Sequence, residues 1–329
     1  MANPAFTRNQ MCFPVLESTW GTAVPPSGTD ACLIVNLATQ AVQPEIPRPD
    51  KTGSLGEIIG IPGRKTANWS ASMSMAGSGS AGVAPDCDPL LQLAFGAAGS
   101  GAAYALGDTP YSASIWNYND PSTVAQYVAI GSVCNQLKIT FGGDVPMLEF
   151  SGVCLWVLDT DQLADGGMDS VGKGGISSWT ARPTPTVSGK PPAGFTGLIT
   201  LDGQTYTTLR TGSITLGVAW ELPGDVFNSY YSAAPAPGLR TISTDLNLYD
   251  DDSANLKALK QKSFNKTPVN LSYQIGTVTG NKWTFTLKNV LLPAPAVDNG
   301  STRRALSWSG AKAHDTTIGA KDALALAIT

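Results

Sequence analysis

The sequence predicts a mainly β protein with minor α content, built from two tandem domains of sandwich or barrel type, each with a flanking helix. Three observations predict this fold: segments that alternate small polar with larger apolar residues, long connections rich in Gly and Pro, and one order of elements that occurs twice. With 329 residues, 42% of them hydrophobic, the chain can form two ordinary cores.

The first copy begins with a strand at 32–42, and a polar connection leads from it into a second strand at 67–75. In the second strand, apolar and small polar residues alternate: Trp69, Ala71, Met73 and Met75 against Asn68, Ser70, Ser72 and Ser74. Successive side chains of a strand point to opposite faces of its sheet. One face therefore suits a core, and the other suits either a water-filled channel or the wet outer face of a sandwich.

The second copy repeats this order with strands at 209–222 and 241–249. In its second strand the core-type residues again alternate with polar ones: Ile242, Thr244, Leu246 and Leu248 against Ser243, Asp245 and Asn247. The two copies thus share their pattern of faces although their residues differ.

An acidic helix start follows the second strand of each copy, at 86–89 and at 250–253. Aspartates near a helix N-terminus bind free amides and complement the helix dipole, and Pro89 suits a first helical turn. The sequence therefore predicts one helix in each copy.

A hairpin is then predicted in each copy, at 135–158 and at 268–292. The alternation matches these apolar residues across the copies: Leu137, Ile139 and Phe141 with Val269, Leu271 and Tyr273, and Phe150 with Phe285. The predicted organisation is a first domain at 1–158 with an insertion at 97–133, a Gly/Pro-rich linker or inserted lobe at 159–195, and a second domain at 196–329.

Several functional sites are disfavoured by spacing and composition. The stretch from Gly63 to Thr66 resembles the end of a phosphate-binding loop, but Arg64 interrupts the required spacing and a strand pattern follows where a helix is needed. We interpret it as a polar connection that enters a strand. A net charge of −4 and a pI near 5.0 argue against a protein that grips nucleic acid through its phosphates.

The sequence also predicts no catalytic residue, no metal and no cofactor. His314 is the only histidine, which excludes a multi-histidine metal site in one chain. The acidic run from Asp159 to Asp169 departs from the calcium-loop pattern at Leu163 and Ala164. Asp86 and Asp88 are explained by helix capping rather than by glycosidase chemistry, and most tryptophans sit at core-compatible strand positions.

Cysteine usage and hydropathy bear on the compartment. The five cysteines are irregularly spaced without a C-x-x-C pair, which predicts small buried hydrophobic residues in a reducing compartment. The sequence shows neither the apolar core of a signal peptide nor an apolar run near the roughly 20 residues of a membrane span. We therefore expect a protein that folds in the cytoplasm and has no membrane-spanning segment.

Four stretches together carry a family resemblance: "LESTWGTAVPPSG", "RPDKTGSLGEIIGIPGRKTANWSASM", "GVAPDCDPLLQLAFG" and the C-terminal "STRRALSWSGAKAHDTTIGAKDALALAIT". In this order they resemble the tail tube (major tail) proteins of long, flexible-tailed, siphovirus-type bacteriophages. The resemblance covers most of the chain and is weakest across 97–133 and 159–195.

The resemblance implies a structural virion protein that forms rings, with the rings stacked into a hollow tube for DNA ejection. The inner sheets of such proteins join into one continuous β-barrel, and a long loop between the first two inner strands reaches the adjacent ring. The corresponding loops here are 43–66 and 223–239. Since family rings present six tube domains, a chain with two such domains is expected to form a homotrimer of pseudo-sixfold shape.

The resemblance also suggests which residues contact the adjacent ring and which line the channel. The expected contacts between rings are Leu55, Ile58, Ile59, Arg64, Phe227, Tyr230 and Tyr231, unless the loops fold back on their own domain. The candidates for the channel lining are Ser70, Ser72, Ser74, Asp245 and Asn247. Such a lining would let genomic DNA pass without specific binding.

The expected partners are further copies of the chain, the tape measure protein, the tail terminator and the distal tail or baseplate proteins. The expected location is the phage tail, after assembly in the cytoplasm of the host bacterium. Two alternatives stay open: another tail structural protein such as a baseplate hub or terminator, or a carbohydrate-binding β-protein.

Overall fold

The computed structural model describes residues 7–51, 53, 56, 58–119, 126–143, 145–159, 181–194, 196–221, 235–251, 253–300 and 302–329. The strands are β1 (Met11–Leu16), β2 (Asn36–Val42), β3 (Glu45–Ile46), β4 (Ile61–Pro62), β5 (Thr66–Ser74), β6 (Ala103–Ala105), β7 (Ala113–Tyr118), β8 (Gln126–Phe141), β9 (Met147–Cys154), β10 (Trp156–Asp159), β11 (Gly197–Leu201), β12 (Gln204–Tyr206), β13 (Leu209–Glu221), β14 (Ala236–Tyr249), β15 (Val269–Ile275), β16 (Trp283–Val290), β17 (Ala296–Asp298), β18 (Ala305–Lys312) and β19 (Leu324–Ile328). The described helices are α1 (Asp88–Phe95) and α2 (Ala254–Phe264).

Eight strands form one antiparallel sheet in the order β17-β18-β14-β13-β8-β9-β5-β2, here called the central sheet. Strand β8 is long enough to leave this sheet, and its first half pairs with β7 and β10. With β1 beyond β7, these strands form the first outer layer. A second outer sheet has the order β12-β11-β15-β16-β19-β6. The predicted mainly β fold is confirmed, and the described part of the chain contains two helices.

Two groups of strands repeat the same connections. In the central sheet, the order β8-β9-β5-β2 corresponds to β17-β18-β14-β13, and in the outer layers β1-β7-β8-β10 corresponds to β11-β15-β16-β19. The first group uses one continuous strand, β8, in both layers. In the second group Pro293 and Pro295 lie between β16 and β17, and because proline lacks the N–H of a ladder, the chain forms two strands there.

The predicted match between the two hairpins is wrong. Strands β8 and β9 pair in the central sheet, whereas β15 and β16 pair in the second outer sheet. Phe141 and Tyr273, which the sequence pattern equates, face each other across the core with ring centroids 4.5 Å apart. Both hairpins alternate apolar and polar residues, so the pattern alone does not tell which sheet a hairpin joins.

The described residues of the stretch 97–133 pack within the outer layers of the fold. Strand β7 is buried along its whole length and pairs with β1 and β8. The short strand β6 pairs with β19 of the second group. The described part of this stretch therefore completes one outer layer and extends the other.

The core lies between the central sheet and the two outer layers. Met73 and Phe150 of the central sheet are almost completely buried, and burial of such side chains contributes roughly 1.5–3 kcal/mol each. Helix α2 is fixed to the sheet by a buried hydrogen bond of 2.8 Å in which Trp308 Nε1 donates to Ser263 Oγ. Helix α1 packs against β8 and β1 and ends at Gly96, whose φ of +67° suits glycine.

The helix starts agree with the sequence only in part. Pro89 lies in the first turn of α1, and the Ser253 side chain caps α2 by accepting from Leu256 N at 3.2 Å. Asp86 instead accepts from Ser188, and the buried Asp250 carboxylate binds Lys260 and Arg304. Capping by these two aspartates is therefore a wrong expectation, because tertiary partners occupy both carboxylates.

The two groups of strands meet along β13 and β8, a junction here called the in-chain seam. Six residue pairs form it, from Gly212 opposite Phe141 to Gly217 opposite Gln136. Trp220 Nε1 donates to Cys134 O at 2.8 Å across the seam. The seam thus makes one continuous sheet from two four-stranded units.

The five cysteines are free and buried, as the sequence predicts. Burial raises the pKa of Cys32 and of Cys134 to about 12, so both thiols stay protonated at neutral pH. Neither described helix has the length and apolar character needed to cross a membrane.

Candidate channel-lining face and assembly surfaces

The five predicted channel-lining residues lie on one face of the central sheet, here called the polar face. Ser70 and Asp245 are exposed there, and Ser72, Ser74 and Asn247 are partly exposed. The register places further small polar residues opposite them: Ser70 faces Ser151, Asp245 faces Ser213, and Asn247 faces Ser307. The alternate residues of the same strands are buried in the core. The sequence thus predicted correctly which residues share a face.

Charges on the polar face balance each other. Its rows contain the basic residues Lys138 and Lys312 and the acidic residues Glu149, Asp245 and Asp298, and Asp298 is paired with Arg210. Lys138 Nζ lies 3.6 Å from Glu149 Oε2 in an exposed ion pair. The face therefore presents hydroxyl and amide groups without excess positive charge, and it offers little attraction to phosphates.

Asp245 also has a structural role that the sequence analysis missed. One carboxylate oxygen accepts from Ser213 Oγ at 2.9 Å, and the other accepts from Ser309 Oγ at 3.1 Å and from Gly310 N at 2.8 Å. These contacts surround a β-bulge between β14 and β18, where Gly310 has a φ of +69°. Since Ser309 and Gly310 lie 64 and 65 residues away in sequence, no local pattern indicates these bonds.

A two-stranded ribbon, β3 with β4, projects between β2 and β5 and is here called the arm. Its isoleucines are exposed, and Ile59 retains 88% of its accessible surface. Ile58 and Ile59 were predicted as assembly contacts, whereas Ile46 and Ile61 were missed. Arg64 lies at the base of the arm with Nη1 buried, just before β5 begins at Thr66. The interpretation of this stretch as a connection entering a strand is confirmed.

The other predicted contacts between rings, Leu55, Phe227, Tyr230 and Tyr231, lie outside the described residues. Leu55 belongs to the segment between β3 and β4, and the other three belong to the connection between β13 and β14. That connection starts at the same edge of the central sheet as the arm, because β2 and β13 run in the same direction. Leu239 is 80% exposed at this edge, and Ile318 is fully exposed on the loop after β18. We call this edge the arm rim.

The central sheet ends at β2 on one side and at β17 on the other, as far as the described residues show. Each end carries an exposed valine: Val35, next to β2, is 66% exposed and Val297 of β17 is 56% exposed. Open strand edges with apolar side chains are surfaces for pairing with another strand. These ends are here called the open edges.

Metal-binding groups are not assembled in the described ranges. No three His, Cys, Asp or Glu residues cluster there in a way that suits a metal ion. The aspartates of the acidic run after Asp159 lie outside the described residues. Asp88 accepts from Tyr104 Oη at 2.6 Å and from Gln92 Nε2 at 2.7 Å, while Asp86 binds Ser188, so each carboxylate has a structural partner.

The chain was compared with protein families and with curated proteins. The family model described as phage tail tube protein matches residues 15–326 of the chain. Among curated proteins, no match was found.

Proposed function

We propose, from the premise that this chain belongs to the phage tail tube protein family, that three copies close into a ring through their central sheets and that the rings stack into the tail tube. The family is one of structural virion proteins that assemble into a tube rather than of enzymes. The proposal concerns how this particular chain achieves that assembly.

The in-chain seam is the observation that carries the proposal. Within a single chain, two four-stranded units of the same topology already join edge to edge. Because the eight strands alternate in direction, the strand at one end of the central sheet runs opposite to the strand at the other end. A second copy can therefore continue the sheet with antiparallel pairing, and a rotational arrangement of copies closes it into a barrel without open edges.

The number of chains follows from the two units. The family resemblance implies six tube domains in a ring, and a chain with one domain at 1–158 and one at 196–329 supplies two of them. Three chains then give a barrel of 24 strands, three times the eight strands of one central sheet. The ring would be a homotrimer with pseudo-sixfold shape.

The polar face is the side of the sheet that we assign to the lumen. Its other side is covered by the outer layers and helices, which leaves the polar face as the surface that a closed barrel would enclose. Hydroxyl groups and balanced charges let DNA pass without specific binding. This supports Ser70, Ser72, Ser74, Asp245 and Asn247 as lining residues.

Stacking is assigned to the arm rim. The isoleucines of the arm, Leu239 and Ile318 are exposed apolar side chains along this edge, and we propose that they contact the adjacent ring. The remaining proposed partners are the tape measure protein within the tube, and terminator and distal tail or baseplate proteins at its ends. We place the chain in a long, flexible-tailed phage, with assembly in the host cytoplasm and no reaction performed.

The test is the mass and shape of the assembled protein. Native mass spectrometry is expected to show multiples of three chains, and negative-stain microscopy is expected to show hollow rings or striated tubes with pseudo-sixfold end views. A ring of six chains would overturn the trimer. A protein that stays monomeric at high concentration and is absent from virions would overturn the function.

A further inference from the structure

We propose that the open edge at β2 pairs with the open edge at residues 291–298 of the next chain in the register of the in-chain seam, so that Val35 of one chain lies opposite Val297 of the next. This inference rests on the proposed ring. It goes further by naming the two edges, their register and the residues that meet.

Strand β2 of the first group corresponds to β13 of the second group. Met75, which is fully buried and continues the ladder just after β5, is the last core-facing residue of that strand, and Leu248 is the last of β14. We align the two strands on these residues, which equates Ala71 with Thr244. Leu37 lies opposite Ala71, and Ile214 lies opposite Thr244, so Leu37 and Ile214 are equivalent. Two residues earlier on each strand, Val35 is equivalent to Gly212.

Strand β17 of the second group corresponds to the second half of β8. The same alignment equates Met73 with Leu246. Met73 lies opposite Leu148 and Leu246 lies opposite Trp308, so Leu148 and Trp308 are equivalent. Leu148 lies opposite Ile139. Two residues before Trp308, Leu306 lies opposite Val297. Two residues after Ile139 comes Phe141, so Val297 and Phe141 are equivalent.

Because the strands correspond in this way, the pairing of the in-chain seam can be applied to the two open edges. Gly212 lies opposite Phe141 within the chain, and Phe141 is only 3% exposed there. The equivalent residues Val35 and Val297 are both more than half exposed in the single chain. The alignment, made from core residues alone, thus brings together the exposed valines at the two ends of the sheet, and their pairing removes apolar surface from water.

The prolines near β17 do not block this pairing. Leu291 N donates to Lys312 O at 2.9 Å, so the N–H of Leu291 points toward β18. In an antiparallel ladder, alternate residues direct their N–H groups to the same neighbouring strand. After Leu291, the residues at the next two positions that face β18 in this way are Pro293 and Pro295. The donors they lack belong to the ladder with β18, which explains why pairing resumes only at Ala296. Leu292, Ala294 and Ala296 keep N–H groups for another strand.

Disulfide trapping tests the register. In assembled rings of the variant Val35→Cys/Val297→Cys, mild oxidation is expected to link most chains into covalent dimers and trimers on a non-reducing denaturing gel. The matched control is Val35→Cys/Asp298→Cys, which moves one thiol to the opposite face and is expected to cross-link at least about five-fold less. The native thiols are buried and should not form cross-links.

The outcomes separate the register from the function. Rings that form without cross-links between positions 35 and 297, or that cross-link equally in the control, overturn the register and leave the proposed ring standing. Absence of rings from the unmodified chain overturns both. A charge exchange checks the contact without cysteine: Val35→Asp should abolish rings, Val35→Asp with Val297→Lys should restore them, and failure of the restoration counts against the register.

Discussion

At the scale of residues, Glu17 shows how one partly buried carboxylate connects segments that are distant in sequence. It accepts from the hydroxyls of Ser112 and Ser114, each at 2.8 Å, and from the backbone N–H groups of Gly21 and Gly131 at 2.8 and 2.9 Å. Glu17 belongs to one of the stretches that carry the family resemblance. Its role escaped the sequence analysis because three of its partners lie about 95 to 114 residues away.

We expect Glu17→Ala to lower the free energy of unfolding by about 3 kcal/mol, because several buried donors lose a charged acceptor at once. Urea unfolding followed by tryptophan fluorescence measures this. The control is Asp50→Ala, which removes an exposed carboxylate paired with Arg48 and should change stability by less than about 1 kcal/mol. Equal stability of the two variants would contradict the role assigned to Glu17.

At the scale of elements, the sequence predicted what local alternation determines. The faces of β5 and β14 and the positions of both helices came out as expected, because each depends on neighbours within a few residues. The sheet that each hairpin joins was not predicted correctly. Strand β8 belongs to two layers, and its place in the central sheet depends on pairing with β13, about 75 residues away. The bulge at Asp245 was missed for the same reason.

The polar face supports a prediction at this scale. Ser70→Arg places a positive charge on it opposite Ser151, where no carboxylate lies directly across in the register. Rings and tubes should still assemble, but DNA release from virions that carry the variant should slow by about tenfold, because the phosphates meet added positive charge. Timed DNA release after triggering in vitro measures this.

The matched control is Ser272→Arg, on β15 of the second outer sheet, where Ser272 is only partly exposed among outward-facing polar residues. It adds the same charge away from the polar face and should leave the rate of release unchanged. Equal rates for the two variants would contradict the assignment of the polar face to the lumen.

At the scale of the whole molecule, the two groups of strands are tied together at several places. Besides the in-chain seam, β6 pairs with β19, and Arg240 of β14 binds the carbonyl oxygen of Gly107. Lys321 forms an ion pair with Asp108. Each tie joins residues of the first half of the chain to residues of the second half.

We therefore expect the isolated chain to unfold in a single calorimetric transition, because neither half keeps its partners when the other unfolds. Differential scanning calorimetry of the monomer, kept below the concentration at which rings form, tests this. Trp220→Phe, which removes the bond across the seam to Cys134, serves as the companion variant and should lower the single transition without splitting it. Two separate transitions in the unmodified chain would show that the halves are independent.

The common direction of β2 and β13 has a consequence for the finished filament. Since both connections leave at the arm rim, every copy added side by side puts its projections at the same end of the layer. In the proposed tube the two ends would then be chemically unlike, because the arms project at only one of them. The growth of the proposed tube and the passage of DNA through it would therefore each have a fixed direction.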